Sequence, residues 1–285
     1  MTMQAVATDK FVTVNGLRIH YVDWGNTGAM PLIMLHGLRS FARTWDGVAT
    51  VWYDSHHVLA LDQRGRGESD WAPNAEYRTE AYVSDLEQFV AQLGLERFIL
   101  MGHSMGGANA LAYASRHPER VVAAVIEDMG PQPASGPPPG AERITRELES
   151  TPAQFASLAE AEAFWRGQRP LISTEAMKDR LKQTLKELPD GRIVWKYDLE
   201  GIQQARQRAG VWGEDRWPQV RALLCPTLVL RGELSDILSR ETAEGMAKAN
   251  PRVRWVEVPR ASHFVHEDNL EAFNREVARF LNQMG

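Results

Sequence analysis

The chain has 285 residues, a formal net charge of -5 and a single cysteine. That length suits one large domain, or a domain with a sizeable insertion, burying roughly three quarters of its unfolded surface without disulfide or metal staples. Lone Cys225 excludes an intrachain disulfide and a cysteine-rich metal site, and the acidic balance gives no electrostatic reason to expect nucleic acid. The opening MTMQAVATDK lacks a basic flank followed by an apolar core, and no stretch is apolar for long enough to cross a bilayer. A soluble cytoplasmic protein with no membrane partner is expected.

Residues 11–14 and 18–24 alternate around Asn15-Gly16, which predicts an antiparallel hairpin. Pro31 leads into the apolar strand 32–35, which ends at His36-Gly37-Leu38. Residues 40–52 are expected to be helical, with Trp45, Val48 and Trp52 on one face. Strand 57–61 follows, then the loop Asp62-Gln63-Arg64-Gly65-Arg66-Gly67-Glu68-Ser69. This loop turns tightly but has neither the lysine nor the spacing of a phosphate loop, so its charges are expected to brace loops at a cleft rim. Residues 79–93 predict an amphipathic helix with Tyr82, Leu86, Phe89, Val90 and Leu93 as its apolar stripe.

The most informative stretch comes next. Phe98-Ile99-Leu100-Met101 is a buried-strand candidate, and Ala108, Leu111, Ala112 and Ser115 return at helical spacing. Between them, Gly102-His103-Ser104-Met105-Gly106 fits G-x-S-x-G, the pattern of a serine held on a strained strand-to-helix turn. If Ser104 attacks an ester carbonyl, fixed backbone N–H groups must stabilise the charge that develops on oxygen. The N–H of Met105, after the nucleophile, and a loop N–H near Leu38 are the expected donors. His36 either pins that loop by a side-chain hydrogen bond or packs as a satisfied core histidine.

Strand 121–126 ends at Glu127-Asp128. Pro133, Gly136, Pro137, Pro138, Pro139 and Gly140 then break regular structure and mark the start of an inserted cap. The expected division is a core of residues 1–132 and 219–285 with a helical cap at 133–218. Helices are expected around 155–163 and at 176–188, the second capped by Thr174, with no convincing series of buried strands. Trp165, Trp195, Tyr197, Trp212 and Trp217 supply either the cap's own small core or a pocket wall; Trp165, Trp195 and Trp212, with His103, are the substrate-binding candidates. Arg206 and Arg208 read as a solvated helix face.

Strand 227–230, helix 241–249, strand 254–258 and a last helix from Asn269 complete an alternation that indicates an α/β sandwich with active loops at the carboxyl ends of its strands. Ser104 needs an imidazole base, and the imidazole needs a carboxylate that fixes its tautomer. His263, between the last strand and the last helix, is the base, with His266 as a second possibility. Asp236 is the acid; Asp128, which also ends a strand, is its rival, and Glu233 leaves the strand earlier.

The combination of HGL at 36–38, DQRGRGES at 62–69, GHSMGG at 102–107, Asp236 after the seventh core strand and ASHFVHE at 261–267 resembles the α/β-hydrolase superfamily, in its cap-bearing serine esterase and lipase-like branch. The resemblance implies an eight-stranded, mostly parallel sheet with helices on both faces and a helical cap inserted after strand six. It also implies Ser104 as nucleophile, His263 as base and Asp236 as acid, with Leu38 and Met105 donating to the oxyanion. Some branches carry the acid after the sixth strand, which keeps Asp128 as the alternative. Similar epoxide hydrolases and haloalkane dehalogenases use a carboxylate at the elbow, so Ser104 argues against both. The expected activity is hydrolysis of an uncharged, fairly hydrophobic carboxylic ester, without cofactor or metal. The same serine could serve a lactonase or a carbon-carbon bond hydrolase, and a reading of another class is a non-catalytic small-molecule binding or receptor protein. The oligomeric state is left open.

Overall fold

A computed structural model of the chain describes residues 7–131, 136–170, 172–209 and 215–284. Strands β1 (Thr8–Val14) and β2 (Leu17–Asp23) form the expected hairpin, with Asn15 at φ 49° and Gly16 at φ 77°, the left-handed pair that a tight primed turn requires. Then come β3 (Met30–Leu35), α1 (Asp46–Trp52), β4 (His56–Leu61), α2 (Thr79–Gln92), β5 (Phe98–His103), α3 (Met105–Arg116) and β6 (Val121–Glu127). A 3-10 turn at Ala42–Trp45 precedes α1, so the single helix expected over 40–52 is two pieces.

After β6 the chain forms α4 (Pro139–Glu149), β7 (Gln154–Phe155), α5 (Leu158–Gln168), α6 (Thr174–Thr184), β8 (Leu185–Glu187), β9 (Ile193–Trp195) and α7 (Leu199–Ala209). It returns to the sheet through α8 (Trp217–Ala222), β10 (Thr227–Gly232), α9 (Arg240–Ala249), β11 (Val253–Val258), α10 (Val265–Asp268) and α11 (Leu270–Asn282). The eight-stranded sheet runs β1-β2-β4-β3-β5-β6-β10-β11; β1 and β2 pair antiparallel, as do β2 and β4, and the remaining pairs are parallel. This is the expected mostly parallel sheet with a cap inserted after its sixth strand.

The central strands read as continuous apolar runs because helices cover both faces. Ile33, Leu100, Ile126 and Val229 pack toward Leu86, Phe89 and Leu111, while their neighbours Leu32, Met34, Ile99, Met101 and Val125 pack toward Trp45, Val48, Phe273 and Val277. Register then sets the function-bearing rim. Leu35 pairs with Gly102 and His103 with Glu127, so the carboxyl ends of β3, β5 and β6 lie side by side. The N–H of Ser104 donates to Glu127 O at 3.0 Å and that of Asp128 to Leu230 O at 2.7 Å, extending the ladder one residue past each strand.

The cap has its own core of Phe155, Trp165, Met177, Leu185, Ile193, Trp195 and Tyr197. It also holds a small antiparallel sheet, β7-β9-β8, that the sequence reading did not foresee: strands of two or three residues are too short to show a period. Residues 185–187, expected to be helical, enter that sheet instead, and the helix ends at Thr184. The α6 N-cap is Ser173, whose hydroxyl accepts from Ala176 N–H at 3.1 Å, rather than Thr174. The expected junction at 132/133 lies outside the described residues, and that at 218/219 falls within α8, which packs on α3 and α9. Among the described residues no helix is long and apolar enough to cross a membrane.

Candidate active site

Ser104 sits where β5 turns into α3, at φ 52° and ψ -115°, a conformation that an L-residue holds only when its surroundings impose it. The surroundings are two close approaches. A Cβ on Gly102 would strike Gly106 O, and one on Gly106 would strike Leu35 O, so both flanking glycines are required for β3, β5 and α3 to meet at this turn. The half-buried Ser104 hydroxyl is thereby held above the strand ends.

His263 meets it from the loop between β11 and α10. Its Nε2 lies 2.9 Å from Ser104 Oγ and its Nδ1 lies 2.7 Å from Asp128 Oδ2. Asp128 is fully buried and His263 is 5% exposed, so bulk water does not compete for this chain of hydrogen bonds. A close approach again makes it possible: a Cβ on Gly232, at the end of β10, would overlap Ser262 O, so only glycine lets the His263 loop settle against that strand. The N–H of Gly232 and the hydroxyl of Ser235 also donate to the Asp128 carboxylate, which is held at φ 47°.

The expected acid, Asp236, does not reach the imidazole. Its two oxygens accept from Arg143 Nε and Nη2 at 2.7 and 2.8 Å, and that guanidinium, from α4 of the cap, holds the carboxyl below its usual range. The bidentate pair turns Asp236 toward the cap, and Asp128 occupies the position facing His263. Glu233 instead accepts from the N–H of Arg260. His266, the other candidate base, lies beneath the site: its Nδ1 is 2.8 Å from both oxygens of the buried Glu127, its Nε2 is 3.1 Å from Thr44 Oγ, and its ring stacks on Trp45. Burial opposes its charge, but Glu127 outweighs burial and its pKa is raised. The pair ties the end of β6 to the loop after His263, a brace that sequence reading missed.

The loop after β3 is fixed with equal care. His36 is fully buried, its Nδ1–H donates to Gly37 O at 2.7 Å, and its Nε2 accepts from Gln63 N–H at 3.0 Å. Burial pushes its pKa down to about 4, so the imidazole is neutral. It is both of the things expected of it, a satisfied core histidine and the pin of the loop. Because a trans peptide sets its N–H opposite its C=O, fixing Gly37 O also fixes the direction of the Leu38 N–H. Gly37 itself lies against His103 and Ser104. Arg66 Nε donates to Leu38 O at 3.1 Å, and Arg64 is bidentate to Asp85, so the charges of the 62–69 loop brace the rim as expected. Met105 opens α3, where the first N–H groups have no partner within the helix.

Residues 30–270 match the family model described as alpha/beta hydrolase fold. The chain belongs to that family. This hydrolase is similar to the 2-(acetamidomethylene)succinate hydrolase of Mesorhizobium japonicum, at 25% identity over 90% of this chain and 89% of the relative. It is also similar to the 3-hydroxybutyrate-oligomer hydrolase of Cupriavidus necator, at 30% identity over 86% of this chain and 87% of the relative. Among solved structures, an alpha/beta hydrolase from Novosphingobium aromaticivorans aligns with a TM-score of 0.84 and 33% identity, covering 98% of this chain and 99% of that one.

Between core and cap lies a partly open cavity of about 400 Å³ with Ser104, His263, Leu38 and Met105 on its core side. The other binding candidates separate. Trp165 lines the cavity, whereas Trp195 lies inside the cap core with its indole N–H on Pro152 O at 2.7 Å. Trp195 packs edge-on against Trp165 at 5.7 Å and so supports the wall without forming it. Trp212 lies outside the described residues. His103 borders the cavity, but its Nε2 donates to the backbone carbonyl of His263 at 2.8 Å, which makes it a positioning residue for the base. Burial, with His263 and His266 nearby, keeps its pKa well below the ordinary value. Arg206, expected on a solvated face, borders the cavity instead, and so do Arg39, Arg143, Arg169 and Arg180, to which the sequence assigned no role.

Proposed function

We propose that this hydrolase cleaves carboxylic esters through a covalent acyl-enzyme, with Ser104 as nucleophile, His263 as general base and acid, and Asp128 as the orienting carboxylate. The observation that carries the reading is the continuous chain from Asp128 Oδ2 through His263 to Ser104 Oγ, at 2.7 and 2.9 Å. A carboxylate accepts only, so the proton between Asp128 and His263 rides on Nδ1 and the Nε2 lone pair faces the hydroxyl. On attack, Nε2 takes the Ser104 proton and the imidazolium is stabilised by Asp128; the N–H groups of Leu38 and Met105 receive the oxyanion. His263 returns the proton to the leaving alkoxide, then activates the water that releases the acid.

An apolar part of the substrate has Met129, Ile144, Ile202 and Phe264 to pack against. The Cupriavidus relative, named for hydrolysis of 3-hydroxybutyrate oligomers, supports hydrolysis as the reaction class. A lone, buried thiol at Cys225 fits the reducing cytoplasm. The reading is tested with a panel of linear esters, lactones and vinylogous diketones, each run beside Ser104→Ala. Turnover of linear esters that disappears in the variant is expected; turnover confined to another bond class would replace the ester assignment, and turnover that survives in the folded variant would remove the serine mechanism.

A further inference from the structure

The cavity carries more positive charge than its carboxylates match. Arg39, Arg66, Arg143, Arg169 and Arg180 all border it. Arg39 and Arg143 share Glu147, Arg143 also holds Asp236, and Arg169 and Arg180 share Glu267 at 2.8 Å each. Arg66 is fully buried and, among the described residues, has no carboxylate partner: it donates to Leu38 O, Arg64 O and the Tyr82 hydroxyl. These five guanidinium groups have three carboxylates, Glu147, Asp236 and Glu267, among them, and Arg78, Arg206 and Arg216 border the cavity as well, with Glu80 as a further carboxylate.

Hydrogen bonding around the cavity leaves more donors than acceptors unused: beside the Ser40 hydroxyl, which can do either, the unpartnered atoms there are N–H groups. Arg169 Nη1, Arg180 Nε and Trp165 Nε1 are buried, and none has a partner among the described residues. The three residues are 5%, 2% and 2% exposed, all border the cavity, and all three orphan atoms are donors. They belong to one cluster: the Arg39 and Arg180 guanidinium groups lie 5.3 and 4.9 Å from the Trp165 ring, and that of Arg169 lies 3.3 Å from the ring of Phe264, next to His263. Stacking on aromatic faces offsets part of the desolvation of a cation but satisfies no in-plane N–H. Buried donors without acceptors are rare enough in folded chains to require an explanation, and a bound acceptor is one. Burial, compounded by Arg169 and Arg39, lowers the Arg180 pKa to about 10 despite Glu267.

We propose that the cavity takes a substrate carrying a carboxylate remote from the scissile carbonyl, seated at the Arg169, Arg180 and Trp165 wall. An acceptor-only anion matches donor-only groups, and planar guanidinium is the side chain best suited to a carboxylate. A monoester of a short dicarboxylic acid, or an ester of a hydroxy acid, combines that group with an apolar stretch that reaches Ser104; the carboxylate is a spectator and is unchanged by the reaction. The proposal rests on the serine-hydrolase reading and replaces the uncharged ester expected from sequence with an anionic one.

Two measurements keep the two readings apart. In the first, a neutral fluorophosphonate labels Ser104 in the presence of glutarate or of the uncharged diamide glutaramide. Glutarate is expected to slow labelling at concentrations where glutaramide does not, with the protection reduced about tenfold or more in Arg180→Gln, or in Arg169→Gln if the first variant does not fold. In the second, monoethyl glutarate and diethyl glutarate are compared as substrates of the wild-type chain, and kcat/KM is expected to favour the monoanion by about tenfold or more. Protection by glutarate with no ester turnover would remove the ester reading and leave the carboxylate subsite standing. Equal protection by the two compounds, or a kcat/KM that favours the diester, would overturn the subsite whether or not esters are cleaved.

Discussion

The two walls of the cavity are built on opposite terms. On the core wall the reacting groups are matched among themselves: Asp128 accepts from Gly232, Ser235 and His263, His263 reaches Ser104, and His36 uses both ring nitrogens. On the cap wall Arg169, Arg180 and Trp165 keep donors with no acceptor among the described residues. The contrast separates chemistry from recognition. A catalytic array gains from being preorganised, since reorienting dipoles at the moment of reaction raises the barrier. A recognition wall gains from leaving its strongest groups for the ligand, and it carries the electrostatic cost of doing so while empty.

That contrast can be broken most severely at the nucleophile. Ser104→Ala is expected to stay folded and to lose kcat by about 10^4-fold or more, measured by steady-state ester hydrolysis with circular dichroism as the folding control. The acid comes second. Asp128→Asn is expected to cost about 10^3-fold or more in kcat, because the wrong His263 tautomer then faces the serine, while Asp236→Asn costs less than about tenfold, since it disturbs only a partly exposed ion pair with Arg143.

A cap-side change tests support without chemistry. Trp195→Ala is expected to lower unfolding stability by about 3–5 kcal/mol, read from denaturant midpoints, by emptying the cap core. Smaller in effect, His36→Gln is expected to reduce kcat by about 10- to 100-fold with KM little changed, because the Leu38 N–H loses its alignment mainly when charge develops on the substrate oxygen. The same residue gives a pH signature. Its folded pKa, about 4, lies below the ordinary 6.5, so its contribution to stability is fully present above pH 6.5 and is lost as pH falls toward 4. The loss amounts to about 3 kcal/mol at most, and subtracting the His36→Gln profile from that of the wild type isolates it.

Most of the fold was legible because local signals agreed with one another: Asn15-Gly16 between alternating segments, apolar runs at 32–35 and 98–101, and G-x-S-x-G between strand and helix. Ser104 and His263 followed from that wiring. The acid did not, because Asp128 and Asp236 both follow strands that end on the same rim. What separates them is a side chain from elsewhere, the Arg143 fork in α4, which engages Asp236. Long-range pairing of that kind leaves no period or motif in the sequence.

The cap was read least well for a related reason. An arginine on or just past an amphipathic helix looks alike whether it meets solvent or a cavity, and so Arg206, Arg180 and Arg169 carried no signal of their destination. Trp165 and Trp195 were equally indistinguishable as aromatic residues of one insertion. They lie 5.7 Å apart, and only the packing shows which of the two borders the cavity.

The proton held between His263 Nδ1 and its carboxylate tests the central claim most directly. Proton NMR of the wild-type chain should show this imidazole N–H far downfield of the amide envelope, as strong, water-shielded hydrogen bonds to a carboxylate do, and the resonance should persist in Asp236→Asn and vanish in Asp128→Asn. A signal lost in Asp236→Asn and retained in Asp128→Asn would contradict the arrangement described.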